Sequence, residues 1–287
     1  MFQKATRQKS RLRMTIDGPA GSGKTYTALR FAHALANGGR IAYIDTERGS
    51  ASKYVGEAPD GIPWNFDVVE LTVFSPEKYT EAILAAGRMG YSVLVIDSLS
   101  HAWEGVGGAL EIKQRVGESW SAWRHVTPIH NRMVDAILQA PMHVITTMRS
   151  RMEYVQENDQ TGKIVIRRVG LAPIQRPGME YEFDLVCDID WSHIMSVSKS
   201  RCPIVADMTV EKPGPEFINP VIAWLGSGTE RMQQPDPVAV QQSPAITLDD
   251  LVAQYGVEAI MAANGNAIPG TDEELQKIAQ VLLQAPF

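Results

Sequence analysis

Gly18-Pro19-Ala20-Gly21-Ser22-Gly23-Lys24-Thr25 is the stretch on which the reading of this chain turns. It fits the spacing G-x-x-x-x-G-K-[ST]. The glycines let backbone N–H groups turn inward around a phosphate, and the N-terminus of a following helix favours negative charge at that point. In such a loop Lys24 reaches the β- and γ-phosphates, and the Thr25 hydroxyl ligates Mg²⁺. The flanks agree with this assignment. An apolar strand pattern at 12–16 leads in, and a helical pattern from 25 to 36 leads out and stops at Gly38-Gly39. The cradle is therefore assigned to Gly18, Gly21, Ser22, Gly23, Lys24 and Thr25, with ATP and Mg²⁺ as its cofactors.

Outward from the loop, strand and helix patterns alternate as far as residue 147, with strands expected at 41–45, 68–71, 93–97 and 143–147. That alternation predicts an α/β fold of three layers, with helices on both faces of a mostly parallel sheet. Ser75 as N-cap and Pro76 at the first helical position open a helix over 76–89. Thr127-Pro128 offers the same device for a helix that carries Ile129, Met133 and Ile137 on one face and ends before Pro141. Strands are expected again at 183–189 and 193–198. The spacing divides the chain into a basic arm (1–13), a core (14–225), a Gly/Gln/Pro linker (226–246) and a small helical module (247–287) in which Thr271 and Glu274 form a capping box.

Val93-Leu94-Val95-Ile96-Asp97 reads as a buried strand that delivers a carboxylate, Asp97, beside Mg²⁺ and its waters. The residue after it is Ser98, so an acid that activates the attacking water has to come from elsewhere. Glu47 stands just past the strand Ile41-Ala42-Tyr43-Ile44-Asp45. If the two strands are parallel neighbours, their C-terminal ends bring Glu47 opposite Asp97.

These residues resemble the RecA-like ATPases, and more closely a short phage-type branch of RecA-like recombinases described as single-strand annealing ATPases. The likeness covers roughly residues 10–205 and rests on Asp45-Thr46-Glu47 and Asp97-Ser98. It implies Glu47 as the catalytic glutamate, Tyr54 as a cover for adenine, and Thr147 as the γ-phosphate sensor, where RecA itself has glutamine. It further implies that Lys199 and Arg201, from Lys199-Ser200-Arg201, enter the neighbouring subunit's site in a head-to-tail homo-oligomer, either ring or filament.

Residues 149–177 lose any core period and read as a long loop or hairpin, with Arg149, Arg151, Lys163, Arg167 and Arg168 as candidate contacts to single-stranded DNA. The net charge of −6 does not oppose this, because residues 226–287 hold two basic and eight acidic side chains and binding follows the local field. The acidic tail is a candidate dock for a protein partner. Two cysteines, Cys187 and Cys202, form neither a disulfide framework nor a metal spacing, and no apolar run approaches a membrane span. The expected setting is cytoplasmic. ATP hydrolysis coupled to DNA recombination or annealing is the function these features suggest. The alternatives are an assembly or regulatory ATPase that binds no DNA, and a small-molecule phosphotransferase.

Overall fold

A computed structural model describes residues 4–56, 63–117, 119–158 and 164–229, with Ile260, Met261 and Ile278; for 153–158 and 164–170 it describes the backbone alone. The chain divides into two compact units, Met1–Glu230 and Arg231–Phe287. The linker and helical module expected over 226–287 lie almost wholly outside the described residues, as do residues 1–3 and Lys163.

In the first unit the strands run in the order β3 (Asp67–Glu70), β2 (Ile41–Asp45), β4 (Val93–Asp97), β5 (His143–Asn158), β1 (Arg13–Gly18), β7 (Leu185–Ile189), β8 (Ile194–Ser200) and β9 (Thr209–Glu211). The first six are parallel, and β8 and β9 add antiparallel at the far edge. Strands β1, β2 and β4 are buried along their whole length. Both their faces are covered by helices, which explains why β2 and β4 read as nearly continuous apolar runs without alternation.

On one face α1 (Lys24–Ala36) packs with α6 (Pro215–Gly226) around Leu29, Phe31, Phe217 and Ile218. On the other, α2 (Pro76–Arg88) packs with α5 (Trp123–Gln139) around Tyr79, Ile83, Met133 and Ile137. The three layers and the mostly parallel sheet are those that the sequence predicts. At the end of α1 the left-handed residue is Asn37 (φ 45°), ahead of Gly38 (φ 83°). Ser75 caps α2 as expected, its Oγ accepting from the Lys78 N–H at 3.4 Å.

One expectation is corrected. Helix α5 starts at Trp123, so Pro128 lies inside it rather than at its first position. Trp123 stacks on Trp103 of α3 (His101–Glu104) at 5.5 Å and Val126 is buried, which extends the helix backward. The proline forfeits one bond to the carbonyl of Arg124, an exposed residue where solvent can satisfy it.

The basic arm does not present all its cations outward. Arg7 donates to the Trp224 carbonyl at 2.7 Å, and the Ser10 N–H donates to the Leu225 carbonyl at 3.3 Å, so the arm caps the C-terminal end of α6. Arg13 is buried and belongs to β1.

Beyond its parallel partners β5 continues outward and pairs antiparallel with β6 (Ile164–Pro173). The segment that reads as a long loop or hairpin is thus a long β-hairpin. Arg149 is the last β5 residue paired with β1, opposite Gly18, and Ser150 is the first paired with β6, opposite Pro173. Arg149 is where core sheet becomes hairpin.

Candidate active site

Sheet register assembles the site. Asp45 and Asp97 are direct partners across β2 and β4, and Ile16 and Thr147 are partners across β1 and β5, so the C-terminal ends of four strands meet on one edge. The phosphate loop leaves β1 at this edge and enters α1, whose first N–H groups have no partner within the helix. Gly21 (φ 78°) and Gly23 (φ 94°) adopt the left-handed conformations that turn the loop back on itself. Lys24 folds over the loop and donates from Nζ to the Pro19 carbonyl at 2.7 Å. Burial pushes its ammonium pKa down, against the opposing pull of Asp97 and Glu47.

Asp97 is the hub. Its Oδ2 accepts from the Thr25 hydroxyl at 2.6 Å and from the Tyr43 hydroxyl at 2.6 Å, and its Oδ1 accepts from the Thr147 hydroxyl. Thr25 and Asp97 therefore stand as one oxygen pair, the donor set that Mg²⁺ takes when it keeps several waters and phosphate oxygens. The loop also fits a polyphosphate. Ser22 Oγ is buried with no hydrogen-bond partner, and a Cβ at Gly18 would lie 2.4 Å from the Ile189 carbonyl and 2.7 Å from Ser22 Oγ.

Glu47 follows β2 at the same edge, beside Asp45, whose Oδ1 accepts the Glu47 N–H at 2.6 Å. Its carboxylate does not face open space. Arg149 donates to Glu47 Oε1 from Nε at 3.0 Å and from Nη2 at 2.8 Å, and to Oε2 from Nη2 at 2.6 Å. Expected as a DNA contact, Arg149 instead spends its guanidinium on Glu47. Behind the pair, His101 Nδ1 lies 2.7 Å from Thr46 Oγ1. Burial, then the Arg149 charge, lower the His101 pKa.

The remaining expected residues are placed as follows. Tyr54 packs in the α1-side core, with its ring 5.6 Å from that of Tyr26 and 6.3 Å from that of Trp64. Lys199 and Arg201 lie level with the start of β7, the opposite end of the sheet from their own chain's phosphate loop, roughly 15 Å of extended strand away. Lys199 Nζ donates to the carbonyls of Glu180, Tyr181 and Phe183 at 2.7–3.0 Å, and Arg201 pairs with Asp184 at 2.8 Å. Arg151 is exposed on the hairpin. Arg167 and Arg168 lie in β6, where only the backbone is described, opposite Val155 and Tyr154.

Three residues of the site escaped sequence reasoning. Tyr43 stands two positions before Asp45 in a strand otherwise read as plain core. Its one signal is a polar handle on a buried aromatic. His193, in the β7–β8 turn, has Nδ1 2.9 Å from the Ser22 carbonyl and so carries its hydrogen there, bracing the phosphate loop from outside. No local pattern announces a contact made 171 positions away. Asp17, one residue before the loop, is buried with its Oδ1 accepting from Thr15 at 2.9 Å.

Burial, then the neighbouring Asp188, push the Asp17 carboxyl up to about 8. Its folded pKa thus lies above its unfolded one, and the stability linked to it is complete in acid and is lost as pH rises toward 8. Asp17→Asn keeps the acceptor for Thr15 and removes the titration. The variant should gain on the order of 5 kcal/mol over the natural protein at pH 8 and almost nothing near pH 4. Urea unfolding at the two pH values measures this, and a gain that is the same at both would show that Asp17 is ordinarily ionised in the fold.

A family model described as an AAA domain matches residues 10–209. The chain belongs to that AAA domain family. Membership makes this an ATPase-type domain, which implies nucleotide binding, typically with Mg²⁺, and nucleotide hydrolysis. The match does not single out the recombinase branch suggested by Asp45-Thr46-Glu47 and Asp97-Ser98. No curated protein matches the chain. Among the described residues no helix is long and apolar enough to cross a membrane.

Proposed function

We propose that this AAA domain protein is a RecA-like ATPase that binds single-stranded DNA and works in recombination or annealing as a head-to-tail oligomer. The observation that carries the reading is the meeting of Thr25, Thr147 and Tyr43 on one carboxylate, Asp97, with Glu47 at the end of the adjacent strand. Thr25 and Asp97 would hold Mg²⁺, while the loop backbone and Lys24 would hold the phosphates. Bound Mg-ATP supplies the γ-phosphoryl group and the metal charge that draws electrons from it. Glu47 orients a water and accepts its proton at a carboxylate oxygen. Thr147 ties Asp97 to β5, whose continuation is the hairpin, so nucleotide state and hairpin position share one strand. Tyr54, beside the start of α1, is assigned to the adenine side.

The oligomer is proposed from the place of two cations, Lys199 and Arg201, that within their own subunit engage backbone carbonyls and Asp184. Lys199 and Arg201 are remote from their own phosphate loop, so any action on a nucleotide is on a neighbour's. The DNA assignment rests on the hairpin, a long two-stranded projection that begins at the site and bears Arg151, Lys163, Arg167 and Arg168 in its sequence.

Phosphate release measured with and without a single-stranded oligonucleotide, across a salt series, tests the reading. Hydrolysis should rise severalfold with DNA, and the stimulation should fall steeply as salt increases. Hydrolysis indifferent to DNA at every salt concentration, with no oligonucleotide retained, would instead identify an assembly or regulatory ATPase. A phosphorylated metabolite as product would identify a phosphotransferase.

A further inference from the structure

Both oxygens of Glu47 are taken by one guanidinium. The two Nη2 contacts and the Nε contact, at 2.6–3.0 Å, form a charge-assisted clamp on the very group that the proposed hydrolysis needs as a base. A carboxylate held this way cannot turn toward a water.

Arg149 itself is fixed by backbone contacts made at the hinge of the hairpin. Its N–H donates to Ser100 Oγ at 2.9 Å, and its carbonyl accepts from the Ile174 N–H at 2.7 Å, on the returning strand of the hairpin. The loop that follows Asp97 is gripped from both hairpin roots. The Leu99 N–H donates to the Thr147 carbonyl at 2.9 Å, and the Leu99 carbonyl accepts from Gln175 Nε2 at 2.9 Å. Gln175 is buried, and its Oε1 lies 3.1 Å from His130 Nε2 and 2.9 Å from the Arg176 N–H, so it has no freedom to turn away. A shift of the hairpin therefore moves the Arg149 backbone, and the clamp depends on that backbone for its reach.

We propose that Arg149 is a positioning residue that withholds the Glu47 carboxylate, and that displacement of the β5–β6 hairpin by a bound polyanion releases it. This rests on the reading of Glu47 as the base. In that state the protein binds nucleotide but hydrolyses it slowly, and capture of the hairpin by phosphodiesters loosens the clamp. The pair is partly open to solvent, with side-chain exposures of 43% for Arg149 and 27% for Glu47, so salt and anions can reach it.

The full-length chain carrying Arg149→Gln, Arg149→Lys or Glu47→Gln provides the test, through two independent readouts. The first is phosphate release without DNA at saturating ATP, with nucleotide affinity measured alongside. Arg149→Gln should raise the basal rate about tenfold at unchanged affinity. Arg149→Lys should fall between, because an ammonium cannot engage both oxygens as a fork. The stimulation by an oligonucleotide should shrink in Arg149→Gln to the extent that the basal rate rises.

The second readout is hydrogen exchange in nucleotide-free protein. Glu47→Gln removes the carboxylate charge and should speed exchange over residues 146–152 and 171–176 by about tenfold, with α1 unchanged. An active natural protein whose basal rate Arg149→Gln leaves unchanged or lowers overturns the withholding alone, a lowered rate marking Arg149 as a direct catalytic group. Exchange unaltered by Glu47→Gln overturns the link to the hairpin. Natural and Arg149→Gln proteins that both release no phosphate overturn the ATPase reading, and the withholding with it.

Discussion

Glu47→Gln protein is expected to bind nucleotide with near-natural affinity while releasing phosphate at least about a hundredfold more slowly, the scale of a lost general base. The substitution keeps the side chain's length and leaves an oxygen that Arg149 can still engage, so the fold around β2 has no reason to change. What disappears is a group able to accept a proton from water. The position directly after Asp97 offers no second acid, since it is Ser98, whose Oγ is buried and has no hydrogen-bond partner. Single-turnover phosphate release, set beside the affinity of a fluorescent nucleotide, separates chemistry from binding. The comparison is sharpest with oligonucleotide present, where the Arg149 clamp is proposed to open. Turnover undiminished in both conditions would remove Glu47 from the mechanism and assign the hydrolysis to other groups of the site.

Glu47 also shows how far the sequence carries. The phosphate loop was legible because its chemistry is local: eight consecutive residues hold the glycines, the lysine and the hydroxyl. The strand ends Asp45 and Asp97 were legible for a different reason. Parallel strands buried on both faces leave long apolar runs that stop at a charge, and the register then matches Asp45 with Asp97 without further help. What failed to show was every contact whose two halves lie far apart in the chain and carry no periodic signal. Arg149 looked like a free cation in a polar stretch. Its partner, 102 positions earlier, is fixed only once β5 is inserted between β1 and β4. The hairpin was half legible: the core period vanished at 149, but the alternation that marks a strand is weak over 149–158. Pro128 misled because the device Thr-Pro is local, whereas the pull on Trp123 and Val126 comes from the packed core.

Arg13→Leu should destabilise the first unit by about 3–5 kcal/mol, far more than any other change in the basic arm. In the sequence Arg13 is one of several cations before the first strand. In the structure its guanidinium is buried and spreads over four backbone carbonyls: Leu138 at 3.0 and 3.2 Å, Leu12 at 3.0 Å, Met142 at 2.8 Å, and Ala140. Two of these oxygens, Leu138 and Ala140, belong to the C-terminal end of α5, where a helix leaves its last carbonyls without partners of its own. The arginine closes that end from inside the protein and fixes α5 against the entry to β5. Burial draws its pKa down to about 10, still above neutral pH, so the positive charge that the helix terminus favours is retained. Leucine fills part of the space and takes the guanidinium from all four carbonyls, of which Leu12 keeps the Val144 N–H as a donor. Lysine should recover only part of the loss, since one ammonium cannot span carbonyls arrayed around a planar fork. Arg11→Leu is the control: Arg11 is exposed, and its loss should cost no more than about 0.5 kcal/mol. Urea midpoints followed by far-ultraviolet circular dichroism decide the matter. Equal midpoints for Arg13→Leu and Arg11→Leu would mean that water reaches the end of α5, and that this guanidinium is not what closes it.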